Sequence, residues 1–339
     1  MKTSNREKCP HYRPWRRLTA VLMGGAIWIT GLTGCLTSDI DSGKPEPPAH
    51  TIALIAPVHA GEQGDAMRLG AEAAAKEFGI QLQYASFKPN EDASEQLAAA
   101  LRMVEEGSSA ILIDPANEHV LEQLAAVASA KGVPVVALND ERLIKGVQSA
   151  ITVDHVEAGR QAGEALAKLI DDKGTVAIMR SDRTDPDLDL REAGIRESFA
   201  RHPSIRIAES ASCGNLRDAC WNAAKGMLDA SPIDGAIALE SGASLGLADE
   251  AKRRGEAGNL KIVAFGSQVE QLSLLQDGVI HQLVVQNDFS FGYIGLEQAV
   301  ALLTGKETPG HPTMLGTKVV NADNMFWMNN QKLLFPFVQ

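Results

Sequence analysis

One segment of the sequence has the spacing of a serine nucleophile. Residues 242–246 read Gly-Ala-Ser-Leu-Gly, and Asp277 or Asp288 followed by His311 gives the chain order of an α/β-hydrolase triad. The preceding strand is predicted to end at Leu239, so Ser244 should lie inside the next helix and not on a sharp turn. Small residues at this spacing also suit close helix–sheet packing, and no second glycine-rich loop offers an oxyanion hole. We interpret the motif as structural and keep a serine hydrolase as the alternative.

Other catalytic and cofactor motifs are missing from the sequence. It contains no Gly-x-x-x-x-Gly-Lys-Ser/Thr, and no Gly-x-Gly-x-x-Gly follows the first predicted strand. The eight histidines are scattered, with no spacing typical of a zinc site. The sequence therefore predicts no bound cofactor and no metal.

Polar side chains follow the predicted strands. In open parallel sheets, ligands bind outside the carboxyl ends of the strands. The segments there are rich in Asp, Asn, Gln, Glu and Arg, which suit a hydroxylated or otherwise polar small molecule. These segments are His59–Asp65, Asp114–Asn117, Asn139–Arg142, Asp154–His155, Arg180–Arg191, Cys213–Arg217, Glu240–Gly242, Gly266–Gln268 and Gln286–Asp288.

Apolar runs alternate with helical patterns from Thr51 onward, and this alternation predicts parallel sheets covered by helices on both faces. The predicted strands are Thr51–Val58, Gln81–Phe87, Ala110–Ile113, Pro134–Leu138, Ala150–Val153, Thr175–Met179, Ile205–Glu209, Ala236–Leu239, Lys261–Phe265 and Ile280–Val285. Ten strands are too many for one sheet of usual size, which favours two α/β lobes over a closed eightfold barrel. Helical spacing predicts buried faces formed by Ala66, Gly70, Ala73, Ala74 and Phe78, and by Val156, Gly159, Gly163, Leu166 and Ile170.

The N-terminus has the pattern of a secretory signal peptide. Six basic residues precede the apolar run Leu18–Leu32, which is too short to span a bilayer as a helix. The run ends in Leu32-Thr33-Gly34-Cys35, which resembles the lipobox of bacterial lipoproteins. We expect residues 1–34 to be a signal peptide, Cys35 to carry lipid, and the polar, proline-rich residues 35–50 to be a tether. An ordinary secretory signal with an incidental cysteine is the alternative.

Cysteine content agrees with export, and the net charge disfavours one class of partner. The formal net charge is −11 and becomes −16 without residues 1–34, which disfavours nucleic-acid binding. Beyond Cys9 and Cys35, the sequence holds only Cys213 and Cys220, a disulfide candidate in an oxidising compartment. Such a bond would contribute about 2.5 kcal/mol on the loop-entropy model. Two buried free thiols are the alternative.

Several segments resemble periplasmic sugar-binding proteins of the ribose-binding type. They are Thr51–Ile55, Lys76–Gly79, Ile111–Pro115, Val133–Asn139 and Thr152–Asp154, and the similarity in order extends over residues 51–320. This resemblance implies two Rossmann-like lobes joined by three crossings, with a ligand closed between them and delivered to an ABC-type permease. We place one lobe at residues 51–153 and 287–316 and the other at residues 154–286 and 317–339.

The resemblance also implies ligand contacts. They are Arg191, Gln286, Asn139, Asp140, Glu240, Asn215 and Gly266. Gln63, in the polar segment after the first strand, is a further candidate contact. Asn139, Asp140 and Gly266 depart from the usual Asp, Arg and Asp at their positions, and residues 59–65 lack the usual stacking aromatics. A furanose, a polyol or a ligand other than a sugar therefore remains open, and acidic Asp140, Glu240 and Asp154 leave room for a cation. Asp154 and Asn215 could equally be helix caps, and Arg191 could form an ion pair within its helix.

We therefore predict a membrane-anchored extracytoplasmic receptor that binds a small polar ligand, most simply a sugar or polyol, without chemical conversion. The alternatives are a subunit that presents ligand to a histidine kinase, and the hydrolase described above. A regulator of the lac-repressor type shares the implied fold, but here the signal peptide stands in the place of DNA-binding helices.

Overall fold

The strands form two separate sheets in a computed structural model that describes residues 50–57, 66–87, 93–182, 185–208, 210–214 and 216–335. The strands are β1 (Thr51–Pro57), β2 (Gln81–Phe87), β3 (Ala110–Ile113), β4 (Val135–Leu138), β5 (Ser149–Val153), β6 (Gly174–Ser181), β7 (Ile205–Ile207), β8 (Ala211–Cys213), β9 (Gly235–Ala238), β10 (Lys261–Phe265), β11 (Gln282–Val285), β12 (Thr313–Leu315) and β13 (Lys318–Val320). The helices are α1 (Ala66–Phe78), α2 (Ala93–Glu105), α3 (Glu118–Ala130), α4 (His155–Leu169), α5 (Pro186–Phe199), α6 (Arg217–Ala230), α7 (Ser241–Arg254), α8 (Val269–Gln276), α9 (Asp288–Leu303) and α10 (Met328–Leu334).

The first sheet has the order β12-β5-β4-β3-β1-β2, and all its pairings are parallel. The second sheet has the order β13-β11-β10-β9-β6-β7, and β8 also pairs with β6; only β13 is antiparallel to its neighbour. Two α/β units are therefore confirmed, and the eightfold barrel is wrong. The chain passes from one sheet to the other three times, after β5, after β11 and after β12.

Helices cover both faces of each sheet. Helices α1 and α9 pack on one face of the first sheet and α2 and α3 on the other, while α4 and α5 lie opposite α6 and α7 on the second. This coverage explains why the central strands are continuous apolar runs with every residue buried, as in β3, β4 and β9. None of the helices among the described residues has the length and apolar character needed to cross a membrane.

Three short strands were not predicted from the sequence. The predicted strand Ile205–Glu209 ends early at Ile207, and this strand, β7, pairs with the first part of β6. The short strand β8 pairs with the last three residues of β6. At the edges of the sheets, β12 and β13 contain three residues each. Strands this short have no alternation of their own, and their place is set by the neighbouring strand.

The buried face of α1 differs from the prediction at two of five positions. Ala66, Gly70 and Ala74 are buried as expected, but Ala73 and Phe78 are exposed, and Ala71 is buried in their place. The reason is that α1 packs against α9 as well as against the sheet. In α4 the predicted Gly159, Gly163, Leu166 and Ile170 are buried, and Val156 is partly buried.

Glycines allow two helix pairs to approach closely. A Cβ atom added to Gly292 of α9 would lie 1.8 Å from the Met67 carbonyl oxygen of α1, and one added to Gly70 would lie 1.9 Å from the Phe289 carbonyl oxygen. A Cβ at Gly159 of α4 would lie 2.1 Å from the carbonyl oxygen of Arg191 in α5. Both helix pairs therefore pack backbone against backbone.

The structure pairs Cys213, at the end of β8, with Cys220 of α6 in a disulfide. The bond ties a short, partly exposed strand to the helix that follows it.

We expect Gly292→Ala to lower the free energy of unfolding by about 2 kcal/mol or more, because the new methyl group overlaps the Met67 carbonyl group. Urea unfolding followed by circular dichroism measures this change. Gly226→Ala is the matched control, because Gly226 lies within α6 with open space around it. That variant should be neutral or more stable by up to about 1 kcal/mol. Equal effects of the two substitutions would contradict the close packing of α1 and α9.

Candidate functional site

A cavity of about 780 Å³ lies between the carboxyl edges of the two sheets. Residues that end or follow β1, β3, β4 and β5 line it from the first sheet, and residues that follow β9, β10 and β11 line it from the second. Its volume falls within the range of small-ligand sites. Six of the predicted ligand contacts line this cavity, namely Arg191, Gln286, Asn139, Asp140, Glu240 and Gly266. The two others, Gln63 and Asn215, lie outside the described residues, as does Cys35.

Arg191 reaches the cavity from α5, whose first turn is capped by the Asp185 side chain. Its Nη1 atom donates to the Leu239 carbonyl oxygen at 2.9 Å, and its Nε atom lies 3.3 Å from His155 Nδ1. The guanidinium carbon lies 4.7 Å from the centre of the Phe265 ring, a cation–π contact. Burial lowers the pKa of Arg191, although nearby carboxylates act in the opposite direction. These contacts fix the guanidinium plane against the cavity.

Arg142 and Asp140 form a two-pronged ion pair that the sequence did not predict. Arg142 Nε donates to the two carboxylate oxygens of Asp140 at 2.8 and 3.0 Å, and its backbone N–H donates to Oδ1 at 2.8 Å. Asp140 lines the cavity as predicted, but its carboxylate is occupied by Arg142. The family usually has an arginine at the position of Asp140. In this chain, Arg142 places a guanidinium group at the cavity two residues later.

Two buried oxygens at the cavity have no hydrogen-bond donor among the described residues. They are Oδ1 of Asn139 and Oε1 of Glu240. Asn139 has a φ of 54°, a left-handed conformation that turns the chain directly after β4. Buried polar atoms nearly always have partners, so each unpartnered oxygen at a cavity wall points to a donor supplied by a ligand or by water.

Asp114 follows β3, and the sequence placed it only within a polar loop. Buried Gln96 holds this loop, because its Nε2 donates to the Asp114 carbonyl oxygen and its Oε1 accepts from the Ala116 N–H, each at 2.7 Å. Burial, together with the charges of Asp288, Asp140 and Asp187, raises the pKa of Asp114 well above its usual range.

Asp187 has the opposite environment on the facing side of the cavity. Its Oδ2 atom lies 3.2 Å from Nε2 of buried His155. Burial acts to raise the pKa of Asp187, but His155, Arg191 and Arg142 outweigh that effect and hold it below its usual value. Asp154 caps α4 by accepting from the Glu157 N–H at 2.8 Å, so the capping interpretation of this residue is confirmed.

Ser244 supports the wall of the cavity from within α7. Its hydroxyl is fully buried, donates to the Ser241 carbonyl oxygen at 2.8 Å and accepts from Gln271 Nε2 at 2.8 Å. Gln271 also donates to the Phe265 carbonyl oxygen and accepts from the Gln268 N–H, so it holds both ends of the loop after β10. The serine hydroxyl is thus unavailable as a nucleophile in this conformation.

Gly266 has a structural reason for lacking a side chain. Its φ is 118°, and an added Cβ atom would lie 2.6 Å from Gln271 Oε1 and 3.0 Å from Ser241 Oγ. The Asp that the resemblance led us to expect at this position does not fit this loop.

Comparison with known proteins decides the family. Residues 52–307 match the periplasmic binding protein domain. The chain belongs to the periplasmic binding protein family. It is 24% identical over 313 residues to a xylitol-binding protein of Mycolicibacterium smegmatis, covering 91% of this chain and 86% of the relative. It is 26% identical to a D-ribose/D-allose-binding protein of Pseudomonas aeruginosa, covering 87% of this chain and 95% of the relative.

A solved structure shows the same fold. The crystal structure of an ABC transporter solute-binding protein from Agrobacterium vitis, bound with α-D-tagatopyranose, has a TM-score of 0.75 and 26% identity to this periplasmic binding protein. The match covers 84% of this chain and 99% of that one. Both relatives and the solved structure are binding proteins by description and not enzymes.

No group of His, Cys, Asp and Glu side chains among the described residues of this periplasmic binding protein could hold a metal ion. The polar groups that line its cavity are carboxylates, amides and two guanidinium groups. This is a hydrogen-bonding site for a polar molecule.

We expect Asp114→Asn to stabilise the ligand-free protein at pH 7 by about 1 kcal/mol or more, since it removes a buried charge without a partner. The raised pKa means that the native state binds more protons than the unfolded state above about pH 4, so wild-type stability falls as pH rises through that window. The advantage of Asp114→Asn should therefore vanish near pH 4. Thermal melts between pH 4 and pH 8 measure it.

The exposed Glu122→Gln substitution on α3 is the control for a simple change in net charge. It should change stability by less than about 0.5 kcal/mol at either pH. An Asp114→Asn variant less stable than the wild type at pH 7 would show that the carboxylate is stabilised in the native state.

Proposed function

We propose that this protein is an extracytoplasmic receptor that closes on a sugar or polyol and delivers it to an ABC-type permease. Its described relatives bind xylitol, D-ribose or D-allose, and D-tagatose. The observation that carries the proposal is a pair of buried, unpartnered oxygens on Asn139 and Glu240, two residues that line the same cavity from different sheets. Ligand hydroxyls would donate to both oxygens and so connect the two lobes.

Donors complement these acceptors. Arg191 and Arg142 present N–H groups to ligand oxygens, and Gln286 offers both a donor and an acceptor. The rings of Phe87 and Phe265 also line the cavity, although Phe265 is in contact with Arg191. Phe87 is therefore the ring that we expect to pack on an apolar sugar face.

Closure follows from the three crossings between the sheets. We place these crossings at residues 153–154, 286–287 and 316–317, where the proposed lobes meet. Gln286 Nε2 donates to Asp288 Oδ1 at 2.9 Å beside the second crossing, and Thr317 Oγ1 donates to Gln161 Oε1 at 2.9 Å beside the third. A ligand that bonds to both lobes binds the closed form more tightly and shifts the population toward it. The permease would recognise the closed form.

We also propose that Cys35 carries a lipid anchor after removal of residues 1–34, and that residues 36–50 separate the body from the membrane. The support is the sequence pattern Leu32–Cys35 after a basic and an apolar region. One chain alone binds membranes weakly and reversibly, whereas several chains hold stably.

Cys35→Ser should release the protein from the membrane fraction and prevent incorporation of labelled palmitate in the native host. The measurement is fractionation followed by immunoblotting, with the conservative variant Cys9→Ser as the control, because Cys9 lies within the predicted signal peptide. Unchanged membrane association of Cys35→Ser would contradict the anchor.

Thermal shifts with xylitol, D-ribose, D-allose and D-tagatose, together with mass spectrometry of molecules retained by the purified protein, test the ligand class. For a confirmed ligand, Arg191→Ala and Gln286→Ala should each weaken binding by about 10- to 100-fold, since each removes hydrogen bonds inside a closed cavity.

Arg196→Ala is the matched control, because Arg196 lies on the same helix and pairs with Glu192 on the exposed side. Its affinity should match the wild type. Unchanged affinity in both cavity variants would place the ligand elsewhere. Ester hydrolysis abolished by Ser244→Ala would instead favour the hydrolase alternative.

A further inference from the structure

The charges that line the cavity are strongly unbalanced. Among the described residues, eight carboxylates line it against two guanidinium groups, and no lysine or histidine does so. Six of the eight carboxylates belong to buried or half-buried residues, where interactions between like charges are stronger than in bulk water. The imbalance is thus a property of the ligand site itself and not only of the acidic surface.

Neither guanidinium group is available to neutralise the whole site. The Nε and Nη2 atoms of Arg142 both donate to the Asp140 carboxylate, and Arg142 Nη1 lies 3.5 Å from Glu118 Oε2. Arg191 is directed at the Leu239 carbonyl oxygen, His155 and the Phe265 ring. Both guanidinium groups are therefore already in contact with particular groups of the protein.

Asp114 is a lining carboxylate without a compensating partner among the described residues. Among the described residues, no side chain donates a hydrogen bond to it and none forms an ion pair with it, although Asp288, Asp140 and Asp187 all act on it. Burial, together with this convergence of negative charge, raises the pKa of its carboxyl group.

The unpartnered buried atoms at the cavity have the same polarity. Asn139 Oδ1 and Glu240 Oε1 are both hydrogen-bond acceptors. Neither residue is among the three carboxylates that act on Asp114, and a ligand that brings more donors than acceptors would satisfy both oxygens. A protonated amine brings three donors together with the missing positive charge.

We propose that the ligand is a polyhydroxylated amine, such as an amino sugar or amino polyol, whose ammonium group sits beside Asp114 while its hydroxyls donate to Asn139 and Glu240. This inference rests on the proposed solute-binding function and narrows its ligand class. A free metal ion would not fit, because no metal-binding group exists among the described residues and the volume suits an organic molecule.

Matched ligand pairs that differ in one amino group test the inference. The pairs are D-glucosamine with D-glucose, D-galactosamine with D-galactose, and D-glucamine with D-glucitol, and N-acetyl-D-glucosamine serves as an uncharged amide control. Thermal shifts followed by calorimetric titration at pH 7 give the affinities. At least one amine should bind 10-fold or more tightly than its neutral partner, and its affinity should fall with added salt.

Two variants locate the charge. Asp114→Asn should weaken the amine at least 10-fold and change the neutral partner less than 3-fold, whereas Glu122→Gln, which keeps the cavity intact, should change neither. Equal losses for both ligands in Asp114→Asn, or no loss, would overturn the placement of the ammonium group.

The remaining outcomes separate this inference from the function on which it rests. If neutral sugars or polyols stabilise the protein and no amine binds more tightly than its partner, the inference is wrong and the proposed function stands. If neither the amines nor the neutral compounds bind, and the purified protein retains no polyhydroxylated molecule, the proposed function fails and the inference fails with it.

Discussion

Polar atoms at the carboxyl ends of parallel strands are the constraint on which this structure depends. A strand buried on both faces ends abruptly, and the residue after it must turn the chain while its side chain still points toward the strand edge. Asn139 does so in a left-handed conformation, and Glu240 does so before α7. Because two such edges share one cavity, an oxygen of each of these two side chains loses water without gaining a partner among the described residues. A ligand that supplies the missing donors is then bound by both sheets.

Binding by both sheets in this way depends on lobes that are rigid and on loops that are held in place. Backbone-to-backbone packing at the glycines of α1, α9, α4 and α5 leaves little space for movement within a lobe. Buried glutamines then fix the loops, with Gln96 holding the segment after β3 and Gln271 the segment after β10. The three crossings between the sheets are therefore the places where motion between lobes would be expected. Rigid lobes joined by a few crossings suit a protein that recognises a ligand by closing on it.

The electrostatics of the cavity differ between its two sides. Near α5, Asp187 is stabilised as a carboxylate by His155 and two arginines. Near β3, Asp114 faces other carboxylates and is destabilised as a charge. Under the proposed function, selection among polar ligands would therefore depend on where a ligand places positive charge and hydrogen-bond donors, as well as on its shape.

The two-lobed α/β fold could be predicted from the sequence, because apolar runs alternating with helical patterns can bury their faces in few other ways. It also placed Arg191, Gln286, Glu240 and Asn139 at strand ends or helix starts, where the chain must become polar. The sequence did not reveal Arg142 as the partner of Asp140, nor Asp114 and Asp187 as opposite charge environments. Nor did it show that Ser244 accepts a hydrogen bond from Gln271, the residue that holds the loop after β10. These roles depend on residues brought together from distant parts of the chain, and only the tertiary structure decides which neighbours a side chain meets and how much water it loses.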